Sequence, residues 1–268
     1  MKKVNNTSLI QIKELAEFIA LKYNSFKVPI EEIVQNEGIR LIYAEYGSNS
    51  FDGMTVYDNN NFYIHLNTDK GNKRNSTRGR FTLAHELGHY FLDSHRTGLK
   101  MGLLSSHPSF LNRKSHNKIE READYFASCL LMPEQMVCSE LHRKKFSFDL
   151  IQKLSEKHSV SITACAIRFV QIGHHPIMII YAENGLVKWK ITSNDFPFKW
   201  LLLDDNRIPE NTVTGEYFQK NNTEDVRRPE KVWAVDWFKY VKDSDIERTF
   251  YEYCLPYKNK ATSIIWED

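Results

Sequence analysis

The stretch His85-Glu86-Leu87-Gly88-His89 constrains the fold of this chain more than any other. On a helix, residues four apart share a face, so both imidazoles can reach one metal ion. Glu86 then lies about 100° round the helix, close enough to meet a water at the ion and too far round to compete as a ligand. Neutral imidazoles suit Zn²⁺, and a site with few protein ligands leaves a position open for water. Mn²⁺ differs in ligand preference but can share such a site. Ser76 or Thr77 can cap this helix, which is expected to run to about Leu92. Its apolar residues spread all round it, so it should be central and buried. Gly88 costs about 1 kcal/mol of helix propensity and should let a strand or a substrate come close.

Two histidines make a poor catalytic site without a third protein ligand. Glu120 offers it, with Asp124 one turn further on the same helix face to hydrogen-bond the far nitrogen of a ligating histidine. Glu122 is a second choice, and His95, His107 and His116 are weaker ones. A catalytic zinc ion lowers the pKa of water and polarises a carbonyl. Glu86 would take the proton from that water and deliver it to the departing amine. Tyr125, His107 and His116 could each supply a second donor to the oxyanion, and spacing does not choose among them.

The segments Arg80-Phe81-Thr82-Leu83-Ala84-His85-Glu86-Leu87-Gly88-His89 and Glu120-x-x-Ala123-Asp124-x-Phe126-Ala127-x-x-Leu130-Leu131-Met132-Pro133 resemble the ImmA/IrrE family of zinc metallopeptidases, as does Ile64-His65-Leu66-Asn67. The resemblance implies His85, His89 and Glu120 as ligands and Glu86 as the catalytic group, in agreement with the spacing. It also implies a regulatory protease that cleaves helix-turn-helix repressors and so switches on stress responses or mobile elements. Nothing else in the sequence names such a substrate.

The 268 residues suit about two domains, and 41% apolar with 26% charged residues is ordinary globular usage. A net charge of +2 argues against a protein whose main task is coating nucleic acid. No apolar run approaches the roughly 20 residues of a membrane helix, no secretory segment is read, and the four cysteines lack CxxC spacing. A cytoplasmic protein without disulfides is expected. All ten histidines fall between His65 and His175 and all five tryptophans between Trp189 and Trp266, which suggests a boundary near His174-His175-Pro176.

Helices are expected over residues 9–23, from Pro29 to Gly38, 119–132, 149–156 and 162–172, with strands over 39–45, 53–57, 62–66, 177–182, 186–191, 249–255 and 261–266. Residues 96–118 read as a long functional loop. The expected fold is α+β: a zincin-like metallopeptidase domain over residues 1–140, a helix-turn-helix-like helical segment over 141–174, and a mainly antiparallel β domain over 175–268 with a sensory or regulatory role.

The alternative is a DNA-binding or partner-binding regulator whose zinc site is structural or vestigial. Residues 154–172 resemble a helix-turn-helix with Arg168 on its second helix, but that helix is strongly apolar, and a recognition helix must show polar side chains to base edges. A packing element is the preferred reading, and the tryptophans are read as core before ligand cage.

Overall fold

The computed structural model describes residues 6–104, 107–109, 118–220 and 228–267. They fall into two compact units, Met1–Arg143 with Lys153–Ser161, and Lys144–Gln152 with Ile162–Asp268. Residues 141–174 are therefore shared between the units.

In the first unit, α1 (Asn6–Leu21) and α2 (Ile30–Asn36) precede β1 (Arg40–Ala44), β2 (Gly53–Asp58) and β3 (Asn61–Asn67). Buried Ile12, Ala16, Ile19 and Ala20 form one stripe along α1, as the helical spacing requires. Asn59 and Asn60 take left-handed φ of 47° and 60°, the geometry of a tight hairpin between β2 and β3. β1 joins β3 in parallel, and the sheet order is β1-β3-β2-β4, with β4 (His107–Ser109) antiparallel to β2.

Helix α3 (Thr77–Phe91) carries the histidine motif and packs on β2 and β3. The Ser76 hydroxyl accepts from Gly79 N at 2.9 Å, the expected cap. Thr82 to His89 are all buried, so the helix is central as its all-round apolar pattern implies. Residues 96–118 are not one loop. They are preceded and partly filled by α4 (Asp93–Lys100), whose buried His95, Gly98 and Leu99 recur at helical spacing beneath a charged outer face, and they include β4. α5 (Lys118–Leu131) ends before Pro133 as expected, but a further helix, α6 (Glu134–Leu141), starts at once, with Glu134 N donating to Glu17 Oε1 at 3.0 Å.

A polar network fastens the loop before β2. Asn67 Nδ2 donates to Gly47 O and Phe51 O, while its Oδ1 accepts from Tyr46 N and Asp69 N. Asn72 donates to Asp52 O and Asn67 O and accepts from Thr82 Oγ1 at 2.7 Å, which ties this loop to α3. Asp52, fully buried, meets Arg78 at 2.6 Å and Lys70 at 3.2 Å. Burial pushes the Asp52 pKa up, but Arg78, Asn72 and Lys70 outweigh it and hold the carboxyl below its ordinary 3.8. A depressed folded pKa gives stability that is present above the unfolded pKa and lost as pH falls through the folded one. Asp52→Asn should therefore cost about 2 kcal/mol at pH 7. In urea titrations the difference from wild type should shrink below about pH 4. A constant difference between pH 7 and pH 3 would refute the ionic account.

The second unit holds the last part of the chain. α7 (Phe148–His158) begins in it, followed by α8 (Ile162–Ile172), β5 (Ile177–Glu183), β6 (Leu186–Thr192), α9 (Val213–Lys220), β7 (Glu230–Trp233), α10 (Ala234–Trp237), β8 (Thr249–Tyr257) and β9 (Lys260–Glu267). The sheet order is β6-β5-β9-β8-β7, with every neighbouring pair antiparallel. Asn184 and Gly185, with φ of 53° and 74°, make the expected turn of the β5–β6 hairpin. Ile177 to Ile180 are all fully buried, so β5 is covered on both faces.

One face of the sheet carries Phe196, Phe198, Trp237, Phe238 and Phe250. Phe148 stacks on Tyr253 and Phe146 meets Trp266 edge to face, which holds residues 144–152 to this unit. Helix α8 buries Cys165, Ala166, Phe169 and Val170, and Arg168 is only 1% exposed. A side chain so buried cannot reach a base edge, so α8 packs as the apolar pattern predicts. Among the described residues no disulfide joins the cysteines, and burial pushes the Cys165 and Cys254 thiols up to about 12. No described helix is long and apolar enough to cross a membrane.

Candidate metal centre

Helix α3 presents His85 and His89 one turn apart, and α5 crosses it to bring Glu120 opposite them. The crossing is close because both helices are small at the contact. A Cβ on Gly88 would stand 3.1 Å from Ala123 Cα and 3.3 Å from Ala123 O. The neighbour that Gly88 admits is thus the α5 backbone, rather than a strand or a substrate. The two Nε2 atoms lie 3.1 Å apart. Glu120 Oε2 is 3.5 Å from His85 Nε2, and Oε1 is 3.4 Å from His89 Nε2. One ligand atom from each of these three residues falls within 4.8 Å of the others, so together they could hold a metal ion. Two imidazole nitrogens with one carboxylate oxygen is a donor set that suits Zn²⁺ and also accommodates Mn²⁺.

On the far side of His85, Nδ1 meets Asp124 Oδ1 at 2.8 Å. That contact fixes the tautomer, leaving Nε2 to face the other ligand atoms. Burial alone would lower the His85 pKa, but bonds to Asp124 and Glu120 and the charges of Asp124 and Glu86 raise it well above 6.5.

Glu86 is fully buried and turns toward β2. Thr55 Oγ1 lies 2.7 Å from Glu86 Oε2 and 3.1 Å from the Glu86 carbonyl. Two residues earlier, a Cβ on Gly53 would stand 2.6 Å from Glu86 Oε1 and 2.7 Å from Thr82 Cγ2. Only glycine leaves room there for the carboxylate. The sequence reading missed both β2 residues. The available signal was a glycine and a hydroxyl at alternate, inward positions of a strand, a pattern that ordinary apolar packing would not choose.

His95 proves to be a helical residue beside the centre. It is 1% exposed, its ring lies 5.2 Å from that of His89, and its Nε2 meets Glu122 Oε2 at 3.2 Å. Burial, then the neighbouring His89, push its pKa down to about 4. Glu122 is engaged by His95, Ser8 and Lys118, so it does not join Glu120 among the three ligand atoms. Tyr125 is half-buried on α5, about 100° around from Asp124. The backbone of His107 pairs with Thr55 in the β2–β4 ladder, and His116 lies outside the described residues. The edge of β2 away from β3 is occupied by β4.

The model of the IrrE N-terminal-like domain, Peptidase M78, matches residues 34–170 of the 268. This chain belongs to the M78 family. The match takes in β1 to β4 and α3 to α5, hence every residue of the His85-His89-Glu120 group. It bears out the family resemblance carried by the two motifs. A solved Mycobacterium tuberculosis transcriptional regulator is similar in fold, with a TM-score of 0.59 and 12% identity over 96% of this chain and 76% of that one. At that identity the likeness speaks for the fold alone. Comparison with curated proteins gave no match. The M78 domain is thus an α+β, zincin-like domain of a peptidase family, with a cluster able to hold a metal.

Proposed function

We propose that this chain is a zinc-dependent endopeptidase that hydrolyses a peptide bond in a protein substrate. The observation that carries this reading is the convergence of His85, His89 and Glu120 beside a buried, oriented Glu86. His85, His89 and Glu120 would hold the ion, and Asp124 would keep the His85 ring turned toward it. A bound zinc ion supplies Lewis acidity, lowering the pKa of water and polarising the scissile carbonyl. Glu86 is the general base, taking a proton from the attacking water and passing it to the leaving amine. Its full burial keeps bulk water from competing for that proton. Tyr125, His107 and His116 are the candidate second donors to the oxyanion.

The substrate class follows from the family resemblance: a helix-turn-helix transcriptional repressor. The solved structural neighbour is a transcriptional regulator, in keeping with a place in transcriptional control. What counts against the DNA-binding alternative is that Arg168 of α8 is buried.

The test uses the zinc-loaded 268-residue chain and a proteome-derived peptide library, with new termini read by mass spectrometry. Wild type should cut, and a chelator should stop it. Glu86→Gln should keep its zinc and its melting temperature while cleavage falls by about 10²-fold or more. Equal cleavage by wild type and Glu86→Gln would refute the assigned role.

A further inference from the structure

We infer that Thr55 is a positioning residue for Glu86, working with Gly53 to seat its carboxylate; this rests on the endopeptidase reading given above. β2 is extended, so Gly53 and Thr55 point to the same side of the sheet. That side faces α3, as their contacts with Glu86 and Thr82 show. Each addresses a different oxygen of one carboxylate. Gly53 offers empty space where any larger residue would stand 2.6 Å from Oε1, and Thr55 offers a hydroxyl 2.7 Å from Oε2.

The Thr55 hydroxyl has one proton and two acceptors in reach, the carboxylate at 2.7 Å and the Glu86 carbonyl at 3.1 Å. The nearer and charged one takes the stronger bond. Thr55 is 2% exposed and Glu86 fully buried, so no water substitutes easily for that bond. A carboxylate on three side-chain torsions would otherwise sample several directions. Held at one oxygen and given room at the other, it keeps one orientation. Orientation is what a general base must supply, because misplacement by about 1 Å can cost 10²-fold in rate.

Thr55→Val keeps the shape of the side chain and removes the hydroxyl, and Thr55→Ser keeps the hydroxyl. Gly53→Ala leaves Thr55 intact and pushes on Glu86 Oε1 and on Thr82 Cγ2, both side-chain atoms. Two readouts separate the outcomes. The first is kcat and KM on a library peptide that wild type cuts. The second is the carbon-13 line of the Glu86 carboxyl in metal-free protein at fixed pH, assigned by its loss in Glu86→Gln.

Thr55→Val and Gly53→Ala should bind zinc with wild-type stoichiometry, while kcat falls roughly 10–100-fold with little change in KM. Their carboxyl line should shift or broaden, and Thr55→Ser should restore both readouts. If Thr55→Val does not fold, Thr55→Ala takes its place with the same outcomes. A Thr55→Val protein with the wild-type carboxyl line and wild-type kcat overturns the inference. If wild type cuts no peptide, the endopeptidase reading fails and the carboxyl line alone decides the role of Thr55.

Discussion

Glu120→Ala is expected to weaken Zn²⁺ binding by well over 100-fold, the largest effect of any single change at the centre. Loss of an outer partner of a metal ligand typically costs 10–100-fold, and Glu120 is one of the three side chains that, among the described residues, converge to present a ligand atom. It is also the only ligand of the three that brings negative charge. Asp124→Ala, which removes the outer partner of His85, should fall within that smaller range. The two variants are thus ranked, and a competition titration against a chromophoric chelator measures both.

The same titration carries a pH signature. His85 holds its proton to well above pH 6.5 before a metal binds, and a protonated imidazole cannot be a ligand. Apparent affinity should therefore rise with pH and level off only above that raised pKa. Asp124 contributes the main bond that raises it, so Asp124→Ala should show a weaker pH dependence along with its lower affinity. Wild-type affinity in Glu120→Ala would dismantle the proposed ligand set.

Glu252→Ala is expected to destabilise the second unit by about 4 kcal/mol. This carboxylate is fully buried on β8 and accepts five hydrogen bonds. Val213 N, at 3.0 Å, and Trp237 Nε1, at 2.9 Å, meet Oε2. Thr214 N, at 3.1 Å, Thr214 Oγ1, at 2.6 Å, and Ser263 Oγ, at 2.7 Å, meet Oε1. Glu252 so joins β8, β9, α10 and the first residues of α9, whose amide hydrogens and dipole favour a negative charge. Burial pushes its pKa up against these five bonds.

Alanine would leave five donors buried without an acceptor. Glu252→Gln should cost less, about 2 kcal/mol. Its amide can face the Thr214 and Ser263 hydroxyls, which can rotate to accept, and its oxygen keeps Val213 N and Trp237 Nε1, so of the five donors only the Thr214 amide hydrogen loses its acceptor. All five tryptophans lie in this unit, so their fluorescence during urea unfolding reports it selectively. A Glu252→Ala protein within 1 kcal/mol of wild type would show that the network does not hold the unit together.

Wherever one local rule acted alone, the sequence was a sufficient guide. Ser76 as a cap, Asn-Gly at a hairpin and Pro133 after a helix act within a few residues, and each appears where its chemistry requires. α4 escaped notice because a short helix with a charged outer face shows only three buried positions, too few to establish a period. The strand β4 has just three residues, and its identity comes from pairing with β2 rather than from its own side chains.

The candidate centre divides in the same manner. The histidine pair and the Glu120/Asp124 pair are each one turn of helix, so their spacing alone places each pair on a common face. That the pairs meet is a property of two helices brought together at Gly88 and Ala123, residues 35 positions apart. The seat of Glu86 on Gly53 and Thr55, and the pairing of His95 with Glu122, likewise join segments far apart in the chain. Composition and short-range spacing determined most of the longer elements, which chemistry they bring, and which family the chain belongs to. Only the tertiary structure decided which oxygens and nitrogens face one another, because contacts between distant segments depend on how whole surfaces pack, a property no local stretch of residues contains.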